Sequence, residues 1–353
     1  MLLAVDIGNT NIVAGVFQGD RLMTSWRLAT DRRKTTDEYA ASLRSLLDHR
    51  GISLRDVKGV SISSTVPPLT ATFRRLSETY FDLPPVIAGI GVKTGIVVAT
   101  ANPPEVGPDR IVNSLAAMMR HSLPAIVVDL GTATTFDAVS ADGKLLGCTI
   151  APGIESALDG LVSRTARLFT VELKAPRTAI GRNTVTSLRA GVVLGYVGLV
   201  EYLVRRIKEE MDGDPLVIAT GGLASVIVPE TKVVDVVDPD LTLHGLRFLH
   251  HLQVPRRCHR DRRRKNRMVA MDHVEPEQNR NMQPRLFHRH MLQPVDLFRI
   301  RNPKHRSRPV LLDQFVQSLV GRFSEFSDGE SRQLRTTSRR CSTPSTGRAT
   351  TSR

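Results

Sequence analysis

Short apolar runs alternate with polar turns along the first part of the chain. The runs LLAVDI, IVAGVF and LMTSWRL are separated by the turn sequences GNTN and QGDR, which predicts a strand, a hairpin and a third strand. Residues 36–50 then have helical spacing, with Asp37 and Glu38 suited to a helix N-terminus. VKGVSISS predicts a further strand. This alternation of strands and helices is typical of an α/β fold.

The same alternation continues to about residue 250. We predict a helix that runs through Arg74–Tyr80, a strand at PPVIAGI, and a helix at Pro108–His121 with proline in its first turn. The pattern further predicts a helix from Ala190 to about Met211, a strand at PLVIA and a last helix near Leu241–Leu249.

The chain contains an internal repeat. Residues 125–146 (AIVVDLGTATTFDAVSADGKLL) lie on residues 2–23 (LLAVDIGNTNIVAGVFQGDRLM) at a constant offset of 123 positions. Asp6 falls on Asp129 and Gly8 on Gly131, and each copy continues into a second strand and a turn. A repeat of this length predicts two domains of like fold, which we place at residues 1–120 and 121–254.

Composition changes beyond about Val254. Residues 1–250 hold 26 Lys+Arg and 26 Asp+Glu, whereas residues 251–353 hold 23 and 9, so the whole net charge of +14 lies in the last stretch. Residues 255–353 lose periodicity and are rich in Arg, Pro, Ser and Gln, which predicts a disordered basic tail with one amphipathic helix at Pro309–Phe323. Dense arginine can bind nucleic-acid phosphates, although such a run is more often only solvated.

Nothing in the sequence predicts a membrane protein or a secreted one. We find no run of ~18 uninterrupted apolar residues and no basic segment ahead of the first strand. The three cysteines, Cys148, Cys258 and Cys341, are far apart and suggest neither a disulfide framework nor a zinc site. We therefore expect a cytoplasmic protein.

The residues that follow the first strand of each copy predict a phosphate-binding site. After the aspartate and one apolar residue, DIGNTN (6–11) and DLGTAT (129–134) contain only small side chains, so backbone N–H groups and hydroxyls can converge on a phosphate. The aspartate can hold a cation, or waters around Mg²⁺, that neutralises the phosphate charge. One such loop could equally be a hairpin turn. Two copies facing each other across a cleft favour a grip on a polyphosphate.

The segment NPPEVGPDR (102–110) leads into the helix at 108–121 and carries a second kind of chemistry. Arg110 can bind a carboxylate or a phosphate through two hydrogen bonds. Asp109 can accept a hydroxyl proton as that oxygen attacks a γ-phosphoryl group. We expect the helix N-terminus to keep Asp109 ionised, so that its main contribution is to orient the nucleophile. Taken alone, the pair is more simply read as helix capping or a surface ion pair.

The repeat with its two loops resembles the superfamily of sugar kinases, acetate kinase, actin and the heat-shock chaperone ATPases. That resemblance implies two tandem ribonuclease-H-like domains with the nucleotide in the cleft between them, and a third glycine-rich loop near the adenosine. Thr220–Ala224 (TGGLA) is well placed for that third loop. On its own it would be weak evidence, since a tight strand-to-helix turn has the same composition.

Within that superfamily, residues 1–250 resemble the type III pantothenate kinases. The matching motifs are DIGNTN (6–11), TTDEY (35–39), SSTVPPLT (63–70), NPPEVGPDR (102–110), DLGTATTFD (129–137), APGI (151–154), GRNT (181–184), GYVGLV (195–200), TGGLA (220–224) and DPDLTLHGL (238–246). The resemblance implies ATP-dependent phosphorylation of pantothenate to 4′-phosphopantothenate, the first step of coenzyme A synthesis. It also implies a homodimer, for which the small-residue face Gly191, Gly195, Gly198 could allow close helix packing.

The resemblance further implies the roles of individual residues. Asp109 would accept the proton, and Asp129 would hold a monovalent cation, K⁺ or NH₄⁺, while Mg²⁺ would accompany ATP. Contacts to ATP are implied for Asp6, Ile7, Gly8, Asn9, Thr10, Asn11, Ile12, Val13 and Thr132. Contacts to pantothenate are implied for Thr100, Gly107, Pro108, Asp109, Arg110 and Thr184. Thr100 stands where the family commonly has a tyrosine that helps to cover pantothenate.

Two other functions are compatible with the same residues. One is a regulatory protein of this fold that binds nucleic acid through its basic tail, and the other is a kinase for a different small hydroxy acid or sugar. The presence of both phosphate loops together with Asp109 and Asp129 favours catalysis over regulation. The segments GPDR (107–110) and GRNT (181–184) favour pantothenate over other acceptors, through the resemblance alone.

Overall fold

A computed structural model describes residues 1–89 and 91–254 of the chain. The predicted tail at 255–353, including the helix predicted at Pro309–Phe323, lies outside the described residues. The described part contains two mixed β-sheets, each with helices packed on both faces. The predicted α/β fold with a repeated sheet is therefore confirmed, while the domain boundary between residues 120 and 121 stays a prediction.

The first sheet has five strands in the order β3-β2-β1-β4-β5. Their bounds are β1 (Leu2–Ile7), β2 (Asn11–Gln18), β3 (Arg21–Ala29), β4 (Gly59–Ser64) and β5 (Val86–Ile87). β1 is antiparallel to β2 and parallel to β4. The three strands predicted from LLAVDI, IVAGVF and LMTSWRL thus form one antiparallel meander that is continued by parallel strands.

The second sheet repeats this arrangement and adds one edge strand. β6 (Val97–Val98) belongs to it, together with β7 (Ala125–Leu130), β8 (Ala133–Val139), β9 (Lys144–Pro152), β10 (Leu216–Thr220) and β11 (Val236–Val237). The order is β11-β10-β7-β8-β9-β6, with β7 antiparallel to β8 and parallel to β10. Strands β7 to β11 therefore correspond to β1 to β5, apart from the added β6.

The offset between the two copies is not constant. Ile7 pairs with Ile12 across the first turn, whereas Leu130 pairs with Thr134 across the second, so the offset falls from 123 before the turn to 122 after it. The second turn is one residue shorter, and the prediction of a single offset is wrong beyond the glycine. Asn9 and Thr10 of the first turn thus lie opposite a single residue of the second, Thr132.

The pleat of β1 explains why a buried strand ends in a carboxylate. Leu3, Val5 and Ile7 point into a core with the helices on one face, and Leu2 and Ala4 point into a different core on the other. Asp6 continues the second row and is only partly buried, because it lies where that core gives way to a cavity. Both faces of the strand are covered, so LLAVDI reads as a nearly continuous apolar run.

The helices lie on either side of the two sheets. Their bounds are α1 (Thr36–His49), α2 (Pro67–Tyr80), α3 (Pro108–Arg120), α4 (Ile154–Ser163), α5 (Thr184–Arg189), α6 (Gly195–Glu210), α7 (Ala224–Ile227) and α8 (Leu241–Gln253). α1 and α2 pack on the first sheet, and α6 and α7 pack on the second. α3 and α8 share the apolar core that includes residues of β1 and β9.

One helical run begins earlier than predicted. The helix expected from Ala190 starts at Thr184, because the Asn183 side chain accepts the Thr186 N–H and Thr186 reciprocates. A π-helical turn at Ala190–Leu194 joins α5 to α6. Within the described residues this run, 184–210, is the one helix long and apolar enough to cross a membrane by length and composition. Part of its apolar face packs in the core of the second sheet.

The crossing of α3 and α8 requires a glycine. A Cβ atom on Gly245 of α8 would lie within 3 Å of the carbonyl carbon of Val112 in α3. The missing side chain lets the two backbones approach closely. α8 also contacts β1 and β4, so the last described helix covers the first strand of the chain.

Candidate active site

The predicted phosphate loops meet at one cavity of about 930 Å³. The loop after β1 lines it from the first sheet, and the loop after β7 lines it from the second. The start of α3 and the loop after β10 complete the wall. The lining includes Asp6, Gly8, Asn9, Thr10, Asn11, Val13, Thr100, Gly107, Asp109, Arg110, Asp129 and Thr132 from the predicted set.

Strand pairing sets two matching rows of side chains along the cavity. In the first sheet Ser63, Asp6, Val13 and Arg27 are consecutive partners across four strands. In the second sheet the corresponding row is Thr220, Asp129, Thr135 and Ile150. Directly paired residues point to the same face of a sheet. Each row therefore presents one aspartate to the cavity, together with different neighbours in the two copies.

The two glycine loops are tight turns that are tied down on the side away from the cavity. Gly8 N–H donates to the Asn11 carbonyl at 3.0 Å, and Gly131 N–H donates to the Ala133 carbonyl at 3.1 Å. Thr30 Oγ1 donates to the Gly8 carbonyl at 2.7 Å, and this threonine is not part of the cavity wall.

The second loop is held by its own partner in the same way. Ser156 Oγ donates to the Thr132 carbonyl at 2.7 Å, and Gly153 N–H donates to the same oxygen at 3.0 Å. A side chain on Gly153 would overlap the backbone of Thr132, so the motif APGI (151–154) supports this loop through close backbone contact. The sequence-based analysis noted APGI only as a family motif and gave it no role.

Three carboxylates share the cavity, and burial raises the pKa of each. Burial raises the pKa of Asp6 to about 7, and Asp109 and Asp129 add to that shift. Burial raises the pKa of Asp129 to about 6, again with a contribution from Asp109. Burial also raises the pKa of Asp109, outweighing Arg110 and the backbone N–H groups at the start of α3. The expectation that the helix N-terminus would dominate at Asp109 is wrong, because desolvation is the larger effect.

Asp109 is neither a helix cap nor part of a surface pair. Gly107 is the N-cap residue of α3 and Pro108 the first helical residue, and no side chain caps this end. Asp109 Oδ1 is buried and has no hydrogen-bond partner within the described residues. Asp109 lines the cavity from the first turn of α3, and its Oδ1 atom lies beside Gly107.

Arg110 lies between two residues that sequence reasoning did not assign. Its Nη1 atom is 4.0 Å from Asp137 Oδ1 and 2.6 Å from Cys148 Sγ. Asp137, in β8, is completely buried, and both of its oxygens lack a hydrogen-bond partner within the described residues. Burial raises its pKa to about 8, opposed by Arg110. The strand period could have indicated Asp137, since a carboxylate two places after Thr135 points to the same side.

Asp129 is oriented by a chain of polar side chains. Asn113 Nδ2 of α3 donates to Asp129 Oδ2 at 3.1 Å, and Thr242 Oγ1 of α8 donates to Asn113 Oδ1 at 2.7 Å. Asn113 is almost fully buried, so both ends of its amide are satisfied away from bulk water. Sequence reasoning missed Asn113, although a lone amide among the apolar residues of α3 was the available signal.

Four residues of the predicted set do not reach the cavity wall. Ile7 and Ile12 are fully buried in the core under the first loop. Pro108 begins α3 but does not line the cavity. Thr184 lies on a separate groove of about 640 Å³ along α5 and α6, together with Gly191 and Gly195. The predicted third loop is present in the wall, with Thr220, Gly221, Gly222 and Leu223.

The carboxylates of Asp6, Asp109 and Asp129 suit a cation that also takes ligands from outside the protein. Their donors are all oxygen, which hard cations prefer, and Asp109 Oδ1 is free to coordinate or accept. Within the described residues no three His, Cys, Asp or Glu side chains are close enough to form a metal cage. The residues therefore fit a cation that draws part of its coordination from phosphate oxygens or water.

Comparisons with known proteins identify close relatives. A family model described as type III pantothenate kinase matches residues 2–206. A type III pantothenate kinase from Bacillus cytotoxicus is 46% identical over 250 residues, which cover 71% of this chain and 95% of that protein.

Solved structures resemble this fold more distantly. A conserved Baf family transcriptional activator from Campylobacter jejuni is 19% identical with a TM-score of 0.47, covering 71% of this chain and 98% of the other. The activator of 2-hydroxyisocaproyl-CoA dehydratase from Clostridium difficile, with bound ADPNP, is 12% identical with a TM-score of 0.42, covering 78% and 99%.

Proposed function

Since this chain belongs to the type III pantothenate kinase family and phosphorylates pantothenate with ATP for coenzyme A synthesis, we propose that ATP and pantothenate bind at opposite ends of its cavity. The nucleotide occupies the end formed by the three glycine-rich loops. Pantothenate occupies the end formed by the start of α3 and by β9. The observation that carries this proposal is the presence of both glycine loops, Asp109 and Arg110 in the wall of one cavity.

At the nucleotide end, the two loops hold the phosphates of ATP from opposite sides. The assigned residues are Asp6, Ile7, Gly8, Asn9, Thr10, Asn11, Ile12, Val13 and Thr132. Ile7 and Ile12 are buried and do not line the cavity, so their role is to hold the loop in place through core packing. Small side chains and hydroxyls at Gly8, Thr10 and Thr132 leave room for phosphate oxygens.

At the acceptor end, Arg110 binds the carboxylate of pantothenate. Its guanidinium is largely shielded from solvent, which strengthens an ion pair with a ligand. Leu146 and Ile150 of β9 are exposed in the same cavity and offer apolar contacts for the dimethyl carbon of the substrate. Thr100, Gly107 and Pro108 are assigned to the same end, and Thr100 leaves more space than a tyrosine would.

Asp109 accepts the proton of the attacking hydroxyl. The hydroxyl oxygen forms a bond to the γ-phosphorus, the bond from that phosphorus to the bridging oxygen breaks, ADP leaves, and the hydroxyl proton passes to Asp109. A pKa raised by burial makes this carboxylate a stronger base than an exposed aspartate. Asp109 therefore contributes proton acceptance as well as orientation of the nucleophile.

The remaining carboxylates are assigned to cations. A divalent metal bound with ATP neutralises phosphate charge, and Asp6 is the aspartate of the first loop that faces it. Asp129 is assigned to a monovalent cation, K⁺ or NH₄⁺. Asn113 supports this role because its donated hydrogen bond fixes one oxygen of Asp129 and leaves the other toward the cavity.

A second copy of the chain completes the enzyme. Thr184 is assigned to pantothenate although it lies on the groove with Gly191 and Gly195, away from the main cavity. A homodimer through this groove could bring Thr184 of one copy toward the acceptor end of the other. The check is a molar mass, by sedimentation, of twice that of one chain.

We also propose a cytoplasmic location. The possible binding of nucleic acid concerns the tail and stays a prediction.

The deciding experiment is pantothenate-dependent release of ADP by the full chain with Mg²⁺, in K⁺ buffer and then in Na⁺ buffer. We expect turnover that requires K⁺, is abolished in Asp109→Asn and falls sharply when pantothenate is replaced by a sugar. Equal rates in the two buffers would overturn the cation assignment. Full activity of Asp109→Asn would overturn the assignment of the proton acceptor.

A further inference from the structure

Arg27 is a cation in the cavity wall that the proposed mechanism does not use. It lies on β3, where it pairs with Val13, which in turn pairs with Asp6. Neighbouring residues Trp26 and Leu28 pack in the core on the other face of the sheet. Arg27 therefore points into the cavity on the same face as Asp6.

The guanidinium of Arg27 reaches the loop of the other sheet. A Cβ atom on Gly222 would lie 3.2 Å from Arg27 Cζ, and closer still to Nη1. The bare backbone of Gly222 thus leaves the space in which the guanidinium lies. Arg27 spans from the first sheet to the third glycine-rich loop, and its position depends on the absence of a side chain there.

No carboxylate partner of Arg27 is recorded within the described residues. Arg33, by contrast, pairs with Asp31. Arg110, the other arginine in the cavity wall, faces Asp137. A guanidinium that faces a cavity without a carboxylate partner is suited to an anion of a ligand.

The place of Arg27 along the cavity indicates which anion it meets. It lies two strands from Asp6, about 10 Å across the sheet. Asp6, Asp109 and Asp129 all line the cavity, and transfer is assigned beside Asp109. Arg27 is on the side of the third glycine-rich loop, where the nucleotide rather than the acceptor is assigned.

We propose that Arg27 binds the non-transferred phosphates of ATP and so bridges the two sheets through the nucleotide. The proposal rests on the assignment of the glycine loops to ATP. It makes Arg27 a nucleotide-binding residue that stays engaged with the product ADP. The planar guanidinium can lie along Gly222 and donate to two phosphate oxygens, which a lysine ammonium could not reproduce.

The test compares binding of Mg²⁺–ADP with binding of adenosine, by calorimetry on the full chain. Arg27→Met should weaken ADP about 10- to 100-fold and leave adenosine unchanged, the range expected for a charge-assisted hydrogen bond. Arg21→Met is the matched control, because Arg21 is an exposed arginine on the same strand outside the cavity wall. It should bind both ligands as the wild type does. Arg27→Lys should recover part of the ADP affinity.

Three results would overturn the proposal. Arg27→Met could bind ADP as tightly as Arg21→Met does. It could weaken adenosine as much as ADP, which would indicate a structural role. It could raise KM for pantothenate while ADP affinity is unchanged, which would move Arg27 to the acceptor end. Wild-type protein that binds ADP but does not phosphorylate pantothenate would overturn the proposed function, and the ADP titration would still decide on Arg27.

Discussion

The hydroxyl oxygens of Thr10 and Thr132 lie 2.7 Å apart and join the two glycine loops across the cavity. Each threonine lies in the turn between the first two strands of its copy. The contact lies where the phosphates of the nucleotide would pass. On the proposed assignment of the two loops to ATP, each hydroxyl would exchange the other for a phosphate oxygen when the nucleotide binds.

The first prediction follows from that exchange. We expect Thr10→Val and Thr132→Val to be energetically coupled in unfolding of the ligand-free protein, by about 0.5–1.5 kcal/mol, the usual contribution of one hydrogen bond. The coupling should fall to near zero at saturating ADP. Thermal and denaturant unfolding of both single variants and the double variant measure it. Equal coupling with and without ADP would show that the contact persists in the bound state.

The second prediction concerns the pH dependence of turnover. Asp109 must be ionised to accept a proton, and burial raises its pKa above the ordinary 3.8. Activity should therefore decline with acidification at a higher pH than for an exposed aspartate. Asp109→Asn should lower kcat by about 10²- to 10⁴-fold, the range for general base catalysis, with ADP affinity retained. A kcat/KM profile that stays flat down to the ordinary pKa would contradict this role.

The third prediction concerns the buried carboxylate of Asp137. Its pKa is raised to about 8, so the folded state holds a proton that the unfolded state has released above pH 4. Keeping Asp137 protonated in the fold therefore costs stability, and the cost grows as the pH rises from about 4 to about 8. Asp137→Asn removes the cost and should unfold at a higher temperature than wild type at pH 8, with the difference shrinking toward pH 4.

The same variant should keep its substrate affinity at neutral pH. A protonated Asp137 presents no charge to Arg110, so we expect KM for pantothenate and ADP affinity to stay close to wild type. Asp142→Asn is the control, since Asp142 is exposed and pairs with Lys144 on the same hairpin. A pH-independent difference in unfolding temperature would mean that Asp137 is not protonated in the fold.

The fourth prediction concerns Asn113. Asn113→Ala leaves Asp129 Oδ2 without its donor and Thr242 without its acceptor, which should lower stability by about 1–3 kcal/mol. If Asp129 holds the monovalent cation, the K⁺ concentration for half-maximal rate should rise several-fold. Thr242→Val should cause a smaller shift in the same direction, because the amide remains. An unchanged K⁺ dependence in Asn113→Ala would show that the hydrogen bond from Asn113 to Asp129 does not support binding of the cation.

The fifth prediction tests the helix crossing. Gly245→Ala places a methyl group against the backbone of Val112, which can move only if the helices shift. We therefore expect the free energy of unfolding to fall by about 1–3 kcal/mol. Gly160→Ala is the matched control, because Gly160 of α4 has open space and alanine favours the helix by about 0.5–1 kcal/mol. Denaturant unfolding of the two variants should move in opposite directions. Equal small effects would show that α3 and α8 separate readily.

The sequence was sufficient for those parts of the site that depend on local chemistry. A loop of Gly, Asn and Thr after a buried strand needs only its own residues to expose amide groups, so both phosphate loops were predictable. α3 was predictable for the same reason, since Pro108 and the apolar spacing determine its start.

The remainder depends on contacts between distant segments. The contact of Arg27 with Gly222 and that of Asp137 with Arg110 arise only when two sheets are assembled. The pKa of Asp109 was misjudged because a helix terminus can be read from sequence, whereas the depth of burial cannot. The shorter second turn escaped detection because a slip of one residue leaves the small polar composition unchanged.

The contact of α8 with β1 means that the first sheet can complete its packing only after α8 has been synthesised. The first strand of the described residues, Leu2–Ile7, is covered on one face by a helix that ends at Gln253. Until α8 has been synthesised, Leu2 and Ala4 lack its apolar side chains, which pack against them in the folded protein. The two copies of the repeat are thus interlocked rather than independent, and a nascent chain gains its nucleotide cleft only near the end of translation of the described part.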